Sequence, residues 1–423
     1  MFYLSDYRSI SNQIKPIITN IDKNVFTLTI TNENNRINSE NEILRAAKPL
    51  IYVVSLFGQQ TVRFFKNEAS KVKAVLKLYS LLLIAAIISL AVLLPPISWS
   101  DTRDDPPLNI LTKTYVCLQV IEVVYSICII SIWNNGTYVE LFKKLNNVDE
   151  HYGIGKKVFL KRRFTVILLI FLPTLQVSLT SWLRKFHINN LMTQLTFTIL
   201  VLQGMFCIYI LLNMYLHLLI LNSILINKIT KMPFGRKFIF QDLLFNKLVK
   251  KIFLNNHQMH KNYCWYEIMK IYDKISDCFS LFNQIYSEQV LIMFNTWLLS
   301  TILAICRVIS PTIKYSQVYK SDILRYSSIS FRPLMLVKFS EIFIQERKKT
   351  MMIILHIMAH EDLDADYFKQ VQTMADLVRT KKLEISANVF TVHIPIVLNF
   401  AGRAISYIVL MIQYFYMHVV TSS

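Results

Sequence analysis

Long apolar runs alternate with short polar, basic connections along most of this chain. The runs approach or exceed the roughly 20 helical residues needed to cross a bilayer. Six are plain: Leu76–Trp99, Leu111–Trp133, Phe164–Leu183, Leu191–Leu221, Val290–Ile309 and Val392–Met417. A shorter stretch, Pro49–Gly58, is too brief to span and is expected to form an interfacial helix before the first of them. Ile323–Ile344 is a weaker segment because it carries Arg325, Arg332, Lys338 and Glu341. Ahead of the fifth span, Cys264, Ile268, Ile271, Ile275, Cys278, Phe282 and Ile285 recur at spacings of three and four, a heptad-like seam. Pro and Gly are absent from 237–310, so one helix is expected to run from the connection straight into the fifth span. Its seam suits either the assembly of subunits or packing within one. Glu341–Asp364 is expected to continue the sixth segment as a helical extension.

Charge decides whether the weak segment crosses. With seven spans, Lys and Arg number 35 in the N-terminal region and the loops 134–163, 222–289 and 345–391, against nine on the other side. Basic residues collect on the cytosolic face, so the N-terminus is expected inside and the C-terminus outside. Without the sixth crossing, the last basic loop would move outside and the asymmetry would weaken. The fold class expected is an all-α polytopic membrane protein of seven transmembrane helices with cytosolic helical extensions. Residues 1–74 form the cytosolic N-terminal region, 75–221 spans one to four, and 222–289 a cytosolic connection. Spans five and six follow in 290–344, a second cytosolic connection in 345–391, and the last span with a short outer tail in 392–423. This orientation opposes that of a G-protein-coupled receptor, and it leaves the sequon Asn135-Gly136-Thr137 on the cytosolic side.

Composition agrees: hydrophobic residues make up 53% of the chain and charged residues 17%, below the usual quarter of soluble domains. The formal charge of +19 lies between apolar runs, as suits anionic lipid headgroups rather than nucleic acid. The first 40 residues are polar and Asn-rich, so the first span is expected to direct insertion. Six cysteines without a CxxC pair point to neither a disulfide framework nor a zinc site. His356 with His360, and His257 with His260, lack a third ligand, and no phosphate loop or nucleophile elbow occurs. Neither catalysis nor a cofactor is expected.

Ionisable residues inside spans are costly and mark sites or structural pairs. Glu122 lies in the second span, Lys338 and Glu341 are three apart on the sixth, and Arg403 is in the last. They line a polar cavity or form ion pairs such as Glu122 with Arg403. In the last span, Ser406, Val409 and Gln413 share one face above Gly402. Such a stripe suits either a narrow pore, where a ring of Gln meets water and hydrated ions, or a helix–helix contact through small residues.

The same span reads Ser406-Tyr407, five apolar residues, then Gln413-Tyr414. This resembles the ending of the insect gustatory receptors: Thr-Tyr, five apolar residues, Gln-Phe. The stretches KPLIYVVSLFGQQ (48–60), LFNQIYSEQVLI (281–292) and QERKKTMMIILHIM (345–358) are similar to family segments. The resemblance implies a ligand-gated, non-selective cation channel in the plasma membrane of a sensory neuron dendrite. Subunits would form a homo- or hetero-tetramer with the last helix around the pore, Gln413 at the gate and Tyr407 beside it. A small-molecule tastant would enter the outer half of the other spans, where Tyr115, Gln119, Trp182, Gln194 and Phe197 are candidates. Arg403 departs from the small or apolar residue usual there. An odorant receptor of the same architecture is the sister alternative. A secondary transporter is another, although internal repeats and broken midplane helices are not evident.

Overall fold

The computed structural model describes residues 42–59, 63–65, 68–70, 74–93, 106–133, 135–152, 156–183, 191–230, 263–309, 320–360 and 364–422. Helix α1 (Glu42–Leu56) precedes a hairpin of two three-residue strands, β1 (Arg63–Phe65) and β2 (Glu68–Ser70), paired antiparallel. Then come α2 (Ala74–Leu93), α3 (Pro106–Cys128, prolonged by a π-type turn to Trp133), α4 (Asn135–Tyr152) and α5 (Lys156–Leu183). The chain continues through α6 (Leu191–Thr230), α7 (Trp265–Ile309), α8 (Lys320–His360), α9 (Ala365–Thr380) and α10 (Ile394–Ser422). Five described stretches are long and apolar enough to cross a membrane: Ala74–Leu93, Pro106–Trp133, Thr193–Lys228, Trp265–Ile309 and Ile394–Met417. The expected third and sixth spans lie in α5 and α8, of 28 and 41 residues, which fall outside that set.

Helix α6 is apolar on nearly every side and sits in the middle of the bundle, packed against α1, α5, α7 and α8. At 40 residues it is about 60 Å long, twice the hydrocarbon core. Helix α7 is longer still, and its heptad-like seam is buried from Ile268 to Ile285 inside this one subunit. Trp265 meets Tyr367 of α9 edge-on at 6.0 Å, and Phe279 meets Phe343 of α8 at 4.6 Å. Of the two uses the seam allowed, packing within the subunit is the one observed.

The stretch expected as a short interfacial helix is part of the longer α1. Its Ile43, Ala46, Ala47, Leu50, Ile51 and Val54 join the protein core, while Tyr52 and Leu56 stay exposed. The helix ends at Gly58, whose φ of 78° favours glycine. The Gly58 carbonyl accepts hydroxyls from Ser80 of α2 (2.6 Å) and Ser131 (2.7 Å). Buried Gln59 donates to Ser126 of α3 at 2.8 Å. The chain between α9 and α10 is fastened as firmly. Asn283 of α7 donates to the Glu384 carbonyl (2.9 Å) and accepts the Ser386 amide (3.0 Å). The Ser340 hydroxyl of α8 donates to the Val392 carbonyl at 2.5 Å.

Candidate functional site

Three starting segments meet inside the bundle. Glu122 of α3 is fully buried and pairs with Arg332 of α8 at 2.5 Å. One turn earlier on α3, the Gln119 side-chain oxygen accepts from the Arg325 guanidinium at 3.0 Å. That guanidinium lies over the Phe197 ring of α6, 5.9 Å from its centroid. The order of these contacts makes α3, α6 and α8 parallel, with their N-terminal halves side by side. Tyr115, one turn before Gln119, is buried in the field of Arg325. Tyr115, Gln119 and Phe197, chosen from sequence, are therefore gathered around one cation. Gln194 is half-buried one turn before Phe197, and the Trp182 side chain lies outside the described residues.

Deeper, α6, α7 and α8 line a partly open cavity of about 30 Å³ bounded by Gln203, Gly204, Cys207, Tyr286, Gln289 and Arg332 among others. That is room for a couple of ordered waters. Both polar atoms of the Gln203 amide, the Gln289 oxygen and Arg332 Nε are buried without a protein partner. Gly204 is small for a reason: a Cβ there would stand 2.9 Å from Arg332 Cγ. Sequence reasoning missed Gln203 and Gln289, and took Arg325 and Arg332 as charges that weaken the sixth segment, not as site residues. A lone amide in an apolar run was the available signal for Gln203.

The remaining intramembrane charges lie apart. Glu122 pairs with Arg332 and not with Arg403, which is exposed on α10. Lys338 is exposed, and half-buried Glu341 accepts from Gln345 at 3.3 Å. No ion pair joins Lys338 to Glu341 among the described residues.

A second buried charge cluster lies farther along α6. Asp149 of α4 receives two bonds from Arg162 of α5, one of them 2.9 Å, and its Oδ1 lies 2.7 Å from His217 Nε2. Burial pushes the Asp149 carboxyl up, but Arg162 and then His217 outweigh it and hold the group at about 2. The Tyr152 hydroxyl donates to the His217 carbonyl at 2.9 Å, closing the cluster.

Helix α10 packs along one face only. Phe400, Ala404, Ile408, Met411 and Phe415 turn toward the core, where Phe400 meets Phe294 of α7 at 5.4 Å. Ser406, Tyr407, Val409 and Gln413 are exposed, while Tyr414 is half-buried against Phe415. Gln413 stands about 180° around the helix from Ala404, and Ser406 lies two turns below it on nearly the same line. The Ser406 hydroxyl donates within the helix to the Gly402 carbonyl (3.1 Å), leaving its oxygen able to accept.

Residues 47–418 match the family model described as 7tm chemosensory receptor. Among solved structures, the fold is similar to the insect olfactory receptor OR5 from Machilis hrabei. The TM-score is 0.60 at 13% identity, over 87% of this chain and 97% of that one. The same receptor in complex with eugenol gives 0.60 and 13%, over 88% and 98%. No curated protein matches the chain.

Proposed function

Because the chain belongs to the 7tm chemosensory receptor family, we propose that this multi-pass membrane protein is a gustatory-type chemoreceptor acting as a ligand-gated, non-selective cation channel. One observation carries the proposal. Only 6% of the apolar window of α10 is buried, against 72% for α6, and the open side carries Ser406, Tyr407, Val409 and Gln413. Amide and hydroxyl groups are poor neighbours for lipid tails, whereas copies of the same stripe around an aqueous axis would satisfy one another through water.

In this reading the chain crosses seven times with its N-terminus inside, and α8 supplies the sixth span. Four subunits, identical or mixed with related receptors, surround the pore. Gln413 forms the gate ring, Ser406 and Val409 line the path, and Tyr407 and Tyr414 couple it to neighbouring helices. Arg403, about 80° from Gln413, lies to the side of this stripe and need not face the axis. Lipid covers α2, of whose apolar window only 17% is buried. A small tastant enters the outer half of each subunit beside Tyr115, Gln119, Phe197 and Arg325, and shifts the equilibrium between closed and open states by binding one of them better. The site is proposed for the plasma membrane of a sensory dendrite. The likeness to an olfactory receptor favours a second reading, an odorant-type channel of the same architecture.

Currents decide the matter. Full-length protein in a voltage-clamped cell is expected to pass mono- and divalent cations on ligand application, with conductance or gating changed in Gln413→Ala. Imaged particles that are monomeric and lack a central pore would overturn the proposal.

A further inference from the structure

The cluster around Arg325 has an unbalanced charge. Its carboxylate, Glu122, is already bound to Arg332. Among the described residues Arg325 meets the neutral oxygen of Gln119 and the face of Phe197, and its Nε is buried without a partner. Gln119 is 2% exposed, and its side-chain nitrogen is likewise buried and unpartnered. The unmet atoms of Arg325 and Gln119 are thus both donors, and one belongs to a cation, while the second oxygen of Glu122 is an unmet acceptor one turn farther along α3. A half-buried cation that meets only neutral groups among the described residues gains from an added negative partner. The group that meets these needs accepts hydrogen bonds only, carries negative charge and takes planar, forked donors. Phe197 and the Tyr115 ring supply an apolar wall beside it.

We infer that the ligand class of this site is the small organic carboxylate with an apolar or aromatic body, its carboxyl group held by Arg325 and the Gln119 amide nitrogen. The inference rests on placing the ligand site in these spans, but it does not depend on the chain being a channel. Glu122 has a part in this specificity. By binding Arg332 it leaves the Arg325 guanidinium to the ligand. A neutral amide of the same shape would put an N–H against a guanidinium, donor against donor.

Binding, not current, provides the test. The purified full-length protein, in nanodiscs of phosphatidylcholine alone, is titrated with benzoate, phenylacetate and hexanoate and with the matching neutral amides. Binding is followed by calorimetry and by the thermal unfolding midpoint. The carboxylates are expected to bind and to raise the midpoint, with the amides weaker by about ten- to a hundredfold, the value of a hydrogen bond to a charged group. R325Q should remove this preference and R325K should keep part of it. If R325Q does not fold, Gln119→Leu, which deletes a donor without changing charge, should weaken carboxylate binding severalfold. Amides that bind as well as carboxylates, no binding by any of the three acids, or acid binding unchanged in the variants would each overturn the inference. So would phosphatidylglycerol nanodiscs in which the lipid blocks the acids through Arg325, because the anion would then be a headgroup. Carboxylate binding without cation current would sink the channel reading alone, and ligand-gated current without carboxylate binding would sink this inference alone.

Discussion

The pair of Glu122 and Arg332 lends itself to a quantitative test, because both charges are buried and joined directly. Glu122 is fully buried, and Arg332 is only 6% exposed. Replacing Glu122 by Leu leaves a buried cation with no counter-charge, and replacing Arg332 by Met leaves a buried carboxylate. Each single change should cost about 3–5 kcal/mol, a large part of the roughly 5–15 kcal/mol that holds a typical protein folded. Replacing both removes the two charges and their desolvation together, so the double variant should lie near the wild type or above it by about 1–4 kcal/mol. The four proteins form a double-mutant cycle whose coupling term isolates the pair. Large membrane proteins rarely unfold reversibly, so the measurable quantity is a lifetime. The assay is the half-life of monodisperse protein in detergent at a fixed temperature, read by fluorescence after size exclusion. Short-lived single variants and a long-lived double variant are expected. A Glu122→Leu protein as durable as the wild type, or a double variant showing the combined damage of both singles, would refute the pairing as the reason these charges are tolerated.

Three further outcomes follow from the packing. Asp149→Asn should lose about 3–5 kcal/mol at neutral pH by removing the buried carboxylate that Arg162 and His217 bind. Since the folded carboxyl is held down at about 2, its contribution is complete above the unfolded value near 4 and lost as pH falls between about 4 and 2, a step that thermal melts across pH should show in the wild type and not in the variant. Asn283→Ala removes both bonds to the chain before α10 and leaves a carbonyl and an amide unmet, for about 1–3 kcal/mol; faster amide hydrogen exchange confined at first to 384–392 would report it. Gly58→Ala forces a left-handed residue and brings a Cβ within 2.7 Å of Leu83 Cδ2, so it should cost about 1–2 kcal/mol or more, seen as a lower melting midpoint that Leu83→Ala partly restores.

What could be seen in advance follows from how each signal is encoded. The period of Ile268 to Ile285 is local, and it foretold both the length of α7 and the buried face. It did not say what covers that face, since a seam toward another subunit and a seam toward α8 and α9 have the same spacing. Pro49–Gly58 shows the converse. Its shortness as an apolar run suggested an interfacial helix, but α1 is longer, and its buried side is completed by Ile43, Ala46 and Ala47, whose neighbours Arg45 and Lys48 dilute the hydropathy.

The charges of α8 expose the limit most directly. A hydropathy sum treats each residue as if it faced lipid alone, so Arg325, Arg332 and Lys338 count against a span to the same degree. In the folded chain they have three different fates: Arg332 is balanced by Glu122, Lys338 is exposed, and Arg325 is buried in part against neutral groups. Pairing is a property of two distant positions, here 210 residues apart, and no window along one chain contains it. Topological reasoning came nearer, because residues near the starts of parallel helices must be neighbours. Tyr115, Gln119 and Phe197 were chosen that way and lie together, while the cation beside them entered only as a charge against the sixth span. The residue least compatible with a span on hydropathy thus becomes the most informative one in the bundle, because a guanidinium that meets only neutral groups among the described residues is suited to an anionic partner from outside the chain.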